Sequence, residues 1–179
     1  MSETLNDFTR NDSTRTATFS PREPNRVQTI GREHINFVLS QSRIDRDNAR
    51  LLLHSSNTDS FHEMVIAQRR RTWFPPKKSP TRARSFHIIS GSLCLVWLDQ
   101  AAERVAGAII LKAGGTHMSA RIPPDTYHAD FPLSSEAVHL ELSGLPKLPN
   151  DNVFPNDIAM SYWKKHLRPQ ALATLRNQR

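Results

Sequence analysis

The residues of this chain that could do chemistry are a histidine beside an acid and two dense runs of cations. His128 and Asp130 lie two apart in YHADF, and on a strand two such positions share one face. An aspartate beside a histidine can orient the ring and raise its pKa, which suits proton transfer near neutral pH. From Met64 to Arg84 there are seven cations (Arg69, Arg70, Arg71, Lys77, Lys78, Arg82 and Arg84) and no acid. From Ile158 onward Lys164, Lys165, Arg168, Arg176 and Arg179 again come without an acid. Guanidinium and ammonium groups at this density would receive phosphate or carboxylate groups. The alternative is a solvated basic edge and a basic tail. Glu141 is an acid in the apolar stretch AVHLELS. It either faces solvent or, if buried, pairs with a cation. Tyr127 suits a packed wall more than catalysis, and His54 and His62 suit hydrogen-bonded structure more than ligation.

Short strands must position these groups. RLLLHSS, FHEMVIAQ, SFHIIS, SLCLVWL, AGAIILKA, HMSARI, YHADF and AVHLELS are apolar or alternating runs of strand length. Turn chemistry separates them at SSNTDS, Gly91-Ser92, Asp99 to Glu103, Gly114-Gly115, Pro123-Pro124-Asp125 and Ser134-Ser135. Pro75, Pro76 and Pro80 make residues 74–82 a loop, with Trp73 to Pro76 as a lip over the strands. Many short strands with regular turns predict a sandwich or barrel. GREHINFVLSQS places Ile35, Val38 and Leu39 at helical spacing and predicts a short helix ahead of the strands. AMSYWKKHLRPQALATLRNQR predicts a C-terminal helix broken near Pro169, with Met160, Trp163 and Leu167 facing the barrel.

The implied organisation is a disordered polar tail over 1–28, a barrel over 29–145, and a Pro-rich connector with a helix over 146–179. The tail is poor in aliphatics, and its four acids balance four arginines, which argues against a nucleic-acid arm. No apolar run approaches the ~20 residues of a membrane span. The first residues have no apolar core of a secretory signal and carry Glu3, Asp7 and Asp12, so a cytoplasmic protein is expected. The lone Cys94 excludes a disulfide framework and a Cys-based zinc site.

TWFPPKKSPTRARSFHIISG and IPPDTYHADF together resemble the two motifs of the cupin family, small double-sheet jelly-roll barrels that usually hold a metal in the barrel mouth. The family's first motif is His-x-His, four residues, Glu, six residues, Gly; its second is Pro-x-Gly, two residues, His. With Gly91 on the motif's Gly, Arg84 stands in the Glu slot and Lys77 and Ser79 in the two His slots. With His128 on the second motif's His, Asp125 stands in the Gly slot. Within the cupins the chain is most similar to the WbuC type of bacterial surface-polysaccharide genes. ARLLLHSSNTDSFHEMVIA, SFHIISGSLCLVWLD, AGGTHMSARIPPDTYH and LELSG carry that likeness, over residues 31–145.

The resemblance implies an all-β cupin barrel, to which helical spacing adds a short N-terminal helix and a C-terminal helix. It also implies a mouth built from His128, Asp130, Arg84 and Lys77, with Tyr127 and Glu141 beside them. Cations at the ligand slots cannot coordinate a metal, so neither a metal nor another cofactor is expected. A rescue set of His117, His139 and Glu141 would need three strand faces to converge. The reading is a cupin that binds, or isomerises with His128 as the proton-transfer group, a small anionic ligand such as a sugar nucleotide or sugar phosphate. The alternative is a non-catalytic sensor or assembly module, its mouth filled by an Arg84–Asp130 ion pair. A homodimer is expected from the family. A nucleic-acid partner is the least supported reading, for want of stacking aromatics among the cations.

Overall fold

The computed structural model describes residues 5–11, 16–44, 48–144 and 151–177. Its elements in chain order are β1 (Phe8–Arg10), β2 (Ala17–Pro21), α1 (Arg32–Ile44), β3 (Asn48–Leu52), β4 (Phe61–Arg69), β5 (Arg84–Ser90), β6 (Ser92–Leu98), β7 (Val105–Lys112), β8 (Ser119–Ile122), β9 (His128–Pro132), β10 (Glu136–Gly144) and α2 (Asp157–Asn177). A seven-stranded sheet runs β1-β2-β3-β4-β10-β5-β8, and a three-stranded sheet β7-β6-β9 packs against it. All pairings are antiparallel except β2 with β3. The expected double-sheet jelly roll with its two flanking helices is therefore the observed architecture.

Each face is set by side-chain alternation. Phe86, Ile88, Leu93, Leu95, Leu111 and Ile122 meet between the sheets. Cys94, Val96, Leu98, Ala129 and Phe131 project the other way, where Trp163, Leu167 and Ala171 of α2 cover them. Those helix positions recur every four residues, and Trp163 Nε1 donates to the carbonyl of Ala102 at 2.7 Å. On the large sheet Val65, Ala67 and Val138 project outward under Phe37 and Val38 of α1. β4 is thus covered on both sides, because α1 lies across its outer face. Arg43 at the end of α1 grips Glu136 of β10 with two hydrogen bonds of 2.8 Å.

Two expectations change. Part of the segment expected to be disordered, residues 8–10 and 17–21, forms β1 and β2, with Phe8, Ala17 and Phe19 buried in the α1 core. β2 lies parallel to β3 in the register Ala17↔Ala49 and Phe19↔Leu51. Burying each Phe contributes about 1.5–3 kcal/mol, which offsets the chain entropy that the local composition could not. Residues 1–4 and 12–15 of that segment lie outside the described residues. α2 also continues through Pro169. Pro169 is exposed, so the carbonyl deprived of its helical partner, four residues back at exposed Lys165, sits on the solvent side. Among the described residues no helix is long and apolar enough to cross a membrane.

If β2 belongs to the core, Phe19→Ala should lower the unfolding free energy by about 3–5 kcal/mol in a urea melt. Thr9→Ala, on the exposed side of β1, should change it by less than about 0.5 kcal/mol. Equal and negligible effects at both positions would restore the disordered tail.

Candidate functional site

The Pro-rich loop after β4 folds back over one end of the barrel and pairs with the start of β9. Lys77 N–H donates to the His128 carbonyl at 3.0 Å and His128 N–H to the Lys77 carbonyl at 2.9 Å. Two residues on, the Ser79 carbonyl accepts from the amide of Asp125 at 2.8 Å. This pairing sets Lys77 beside His128. Arg84, at the first position of β5, faces inward with Phe86 and Ile88, while Ser85, His87 and Ile89 face outward. In β10 the inward positions are His139, Glu141 and Ser143, paired to Ile66, Met64 and His62 of β4.

A cavity of about 220 Å³ opens at this end. Arg50, Lys77, Arg82 and Arg84 line it, with Glu141 as the lining carboxylate among the described residues. His54, His62, Ser143 and Asn152 complete the polar wall. Arg84 is pinned: its guanidinium forms a buried ion pair with Glu141 and donates to Asn152 Oδ1 at 2.9 Å. Arg82 is likewise paired with buried Asp151, which also accepts from Ser79 Oγ at 2.7 Å. Asp151 and Asn152 come from the connector, which is held in place by backbone hydrogen bonds between Lys78 and Val153.

The electrostatics arise from burial and crowding. Burial alone would raise the Glu141 carboxyl, but Arg84, Lys77 and Arg50 hold it well below the usual carboxylate range. Lys77 is pushed down to about 8 by burial and by the charges of Arg84 and Arg50, which Glu141 only partly offsets. His128 is pushed down to about 4 by burial, with Lys77 and Arg84 adding to it. Its ring is neutral at pH 7, with the Nδ1 proton donated to the Thr126 carbonyl at 2.9 Å and Nε2 facing the interior without a partner. Arg50 Nε, Arg84 Nε and Ser143 Oγ are also buried without partners among the described residues.

The structure brings Lys77, Arg84, His128 and Glu141 to one end of the barrel. Three details depart from the sequence reading. Asp130 does not orient His128 or raise its pKa. Two residues further along β9, its carboxylate is taken by Gln68 Nε2, and the Thr126 carbonyl holds the imidazole. Arg84 pairs with Glu141 in place of Asp130, because β10 is the neighbour of β5 and β9 belongs to the other sheet. Tyr127 does not join the mouth. One residue from His128, it faces the opposite way, into the core under α2, with Lys78 Nζ 4.8 Å from its ring.

His117 is exposed in the turn before β8 and stands apart from His139 and Glu141. Among the described residues no three His, Cys, Asp or Glu side chains converge to hold a metal ion. The rings of His54 and His62, expected to serve structure, stack at 4.4 Å in the cavity wall. They stand on either side of the SSNTDS turn, His54 directly before it and His62 one residue beyond it, which is the sequence signal that pairs them. Arg50, Asp151 and Asn152 reach the mouth through contacts that no local pattern announces.

Comparison of the sequence with models of protein families and with curated proteins finds no match. Solved structures do match. The crystal structure of CapF with the inhibitor 3-isopropenyl-tropolone aligns with a TM-score of 0.53 at 14% identity, covering 62% of this chain and 33% of that one. The present chain therefore spans about a third of that relative's length. The capsular polysaccharide assembling protein CapF from Staphylococcus aureus aligns at 0.49 and 16% identity, covering 62% and 32%. The Cnp3 cupin domain of Schizosaccharomyces pombe aligns at 0.45 and 19%, covering 57% and 67%.

The fold is a cupin-type jelly roll. Two turns of the cupin register carry the backbone geometry their slots require. Gly91 has φ of 76°, and a Cβ there would lie 2.4 Å from the Glu136 carbonyl oxygen. Asp125, in the slot where the cupin motif has Gly, adopts the left-handed conformation with φ of 56° and forms an ion pair with Lys78 at 2.6 Å.

The buried histidines make the barrel acid-sensitive. His128 and fully buried His139 both titrate below the ordinary value of 6.5, burial being the leading cause in each. The unfolded chain then binds protons more tightly than the folded one as pH falls below about 6.5, so stability is lost on acidification toward pH 4. His139→Leu should stabilise the protein at pH 7 by about 1 kcal/mol, because both ring nitrogens lack partners. It should also flatten the loss between pH 7 and pH 5. Urea melts at the two pH values measure both effects; an undiminished acid loss in the variant would exclude His139 as a source.

Proposed function

We propose that the barrel mouth binds an anionic carbohydrate derivative, a sugar phosphate or sugar nucleotide, and does so without a metal. The observation that carries this reading is the convergence of Arg50, Lys77, Arg82 and Arg84 on one cavity whose lining carboxylate is Glu141. Arg84 and Arg82 are already paired, while Arg50 and Lys77 supply charge in excess. The inward Nε protons of Arg50 and Arg84 suit phosphate oxygens. Ser143 Oγ in the cavity wall suits a sugar hydroxyl, while His128 lies buried behind the lining residues.

The carbohydrate assignment rests on the sequence likeness to the WbuC type. A divalent metal does not fit this donor set: Lys77 and Arg84 stand where chelating groups are expected, and like charge would oppose the ion. An isomerisation would route its proton through His128 Nε2. With its pKa near 4, that nitrogen acts at neutral pH as a hydrogen-bond acceptor, so binding is the better-supported role. The buried Cys94 accords with a reducing, cytoplasmic setting. The pairs Arg84–Glu141 and Arg82–Asp151 favour a second reading, in which the mouth is filled by its own structure and the protein is an assembly module.

A thermal-shift panel at pH 7 separates the two. Sugar nucleotides and sugar phosphates should raise the Tm, and neutral sugars should not. Lys77 loses its proton at about 8, against the ordinary 10.5. Its ammonium therefore costs stability at and below pH 8, a cost relieved as pH rises toward 10.5. Lys77→Met should accordingly raise the unfolding free energy of the free protein at pH 7 by an amount on the order of 1 kcal/mol, given the partial exposure of the side chain, and so raise its Tm. The same variant should lose the ligand-induced shift. In the wild type that shift should fall as pH rises through about 8. No shift with any anionic sugar would overturn the ligand reading and leave the filled mouth.

A further inference from the structure

The two acid-free basic stretches of the sequence, almost a hundred residues apart, meet away from the mouth. The end of β4 and the start of the loop after it carry Arg70, Arg71 and Trp73; α2 carries Lys164, Lys165 and Arg168. Together they line an open groove of about 530 Å³, and no carboxylate is among the described residues that line it. Arg168 is built into the groove wall. Its guanidinium lies over the Phe131 ring at 4.6 Å and donates to the carbonyls of Arg70 at 2.9 Å and Pro132 at 3.3 Å. Burial and the neighbouring Arg70 both disfavour the Arg168 charge, so the fold holds these cations close together at an electrostatic cost. Lys164 and Lys165 are exposed on the helix face above. Trp73, half-buried against the α2 core, presents indole surface in the groove beside them.

We propose that this groove binds single-stranded nucleic acid, with the cations tracking the phosphodiester backbone and Trp73 stacking a base. A groove that tracks a backbone with charge and offers an aromatic face is the arrangement by which single strands are held without sequence readout. The absence of carboxylates argues for a polyanion over a zwitterionic peptide. The aromatic among the cations offers a face on which a base can stack. The same adjacency of Trp73 to the arginines is visible in the sequence, where it reads as a lip. The structure adds the second set of cations from α2. The proposal does not rest on the ligand proposed for the mouth.

The test is fluorescence anisotropy of a labelled oligo-dT of about 15 nucleotides with the full chain, with tryptophan emission recorded in parallel. Binding is expected to weaken by roughly tenfold or more between about 50 and 200 mM salt, as several phosphate contacts require. Lys164→Glu combined with Lys165→Glu reverses charge on the exposed helix face without touching the core. It should lower affinity at least about tenfold, since several phosphate contacts are lost. Arg121→Glu, on β8 at the far edge of the seven-stranded sheet and outside the groove lining, should leave affinity within about twofold. Trp73→Leu should remove the tryptophan quenching while keeping most of the salt-dependent binding. Wild-type affinity in the double lysine variant would overturn the proposal. So would equal loss in Arg121→Glu, or displacement of the oligonucleotide by inorganic polyphosphate of equal charge with no tryptophan quenching at any stage, which is ion exchange alone.

Discussion

A buried charge must find a partner or leave the protein, and the mouth of this barrel is arranged around that constraint. Arg84 enters the interior at the first residue of β5, and Glu141 meets it from β10. Removing one partner of such a pair costs about 3–5 kcal/mol, because the other is left buried and uncompensated. The pair recruits more structure than two side chains. Asn152 caps the second guanidinium nitrogen, and Asp151 beside it takes Arg82 and Ser79. The connector is thereby drawn back across the barrel end before it enters α2. The charge left over after this pairing is positive: Lys77, its proton weakened by burial and then by Arg84 and Arg50, and Arg50 itself.

The strands are legible in the sequence because each carries its own alternation and ends at its own turn. SLCLVWL maps onto β6 without a shifted residue, and Arg84, Phe86 and Ile88 face inward as period two dictates. The short N-terminal strands are not legible. FTR and ATFSP are too short and too polar to announce themselves, and their stability comes from Phe8 and Phe19 inserting under α1, a contact made at long range. The continuity of α2 is hidden by Pro169, whose cost falls on the solvent side of a helix already fixed by Trp163, Leu167 and Ala171.

The site divides along the same line. The cupin motifs that the sequence resembles, set on Gly91 and on His128, place Lys77, Arg84 and His128 together. Glu141 stands out as an acid in need of a partner, and strand order, which the sequence does not state, decides that the partner is Arg84. Asp130 shares a face with His128, but Gln68 takes its carboxylate. Alternation turns Tyr127 away from the mouth. Arg50 and His62 lie on β3 and β4, and His54 just beyond β3, and the sequence alone does not say which faces of these strands turn inward.

The central claim is that cations have taken over the place where chelating side chains are expected, so the mouth prefers an anion to a metal. Parallel thermal-shift titrations of the purified protein, one with zinc and manganese and one with inorganic pyrophosphate, address it directly. The predicted result is a rise in Tm with pyrophosphate that is lost in Lys77→Met, and no rise with either metal. Stoichiometric stabilisation by a divalent metal, with no response to pyrophosphate, would contradict it.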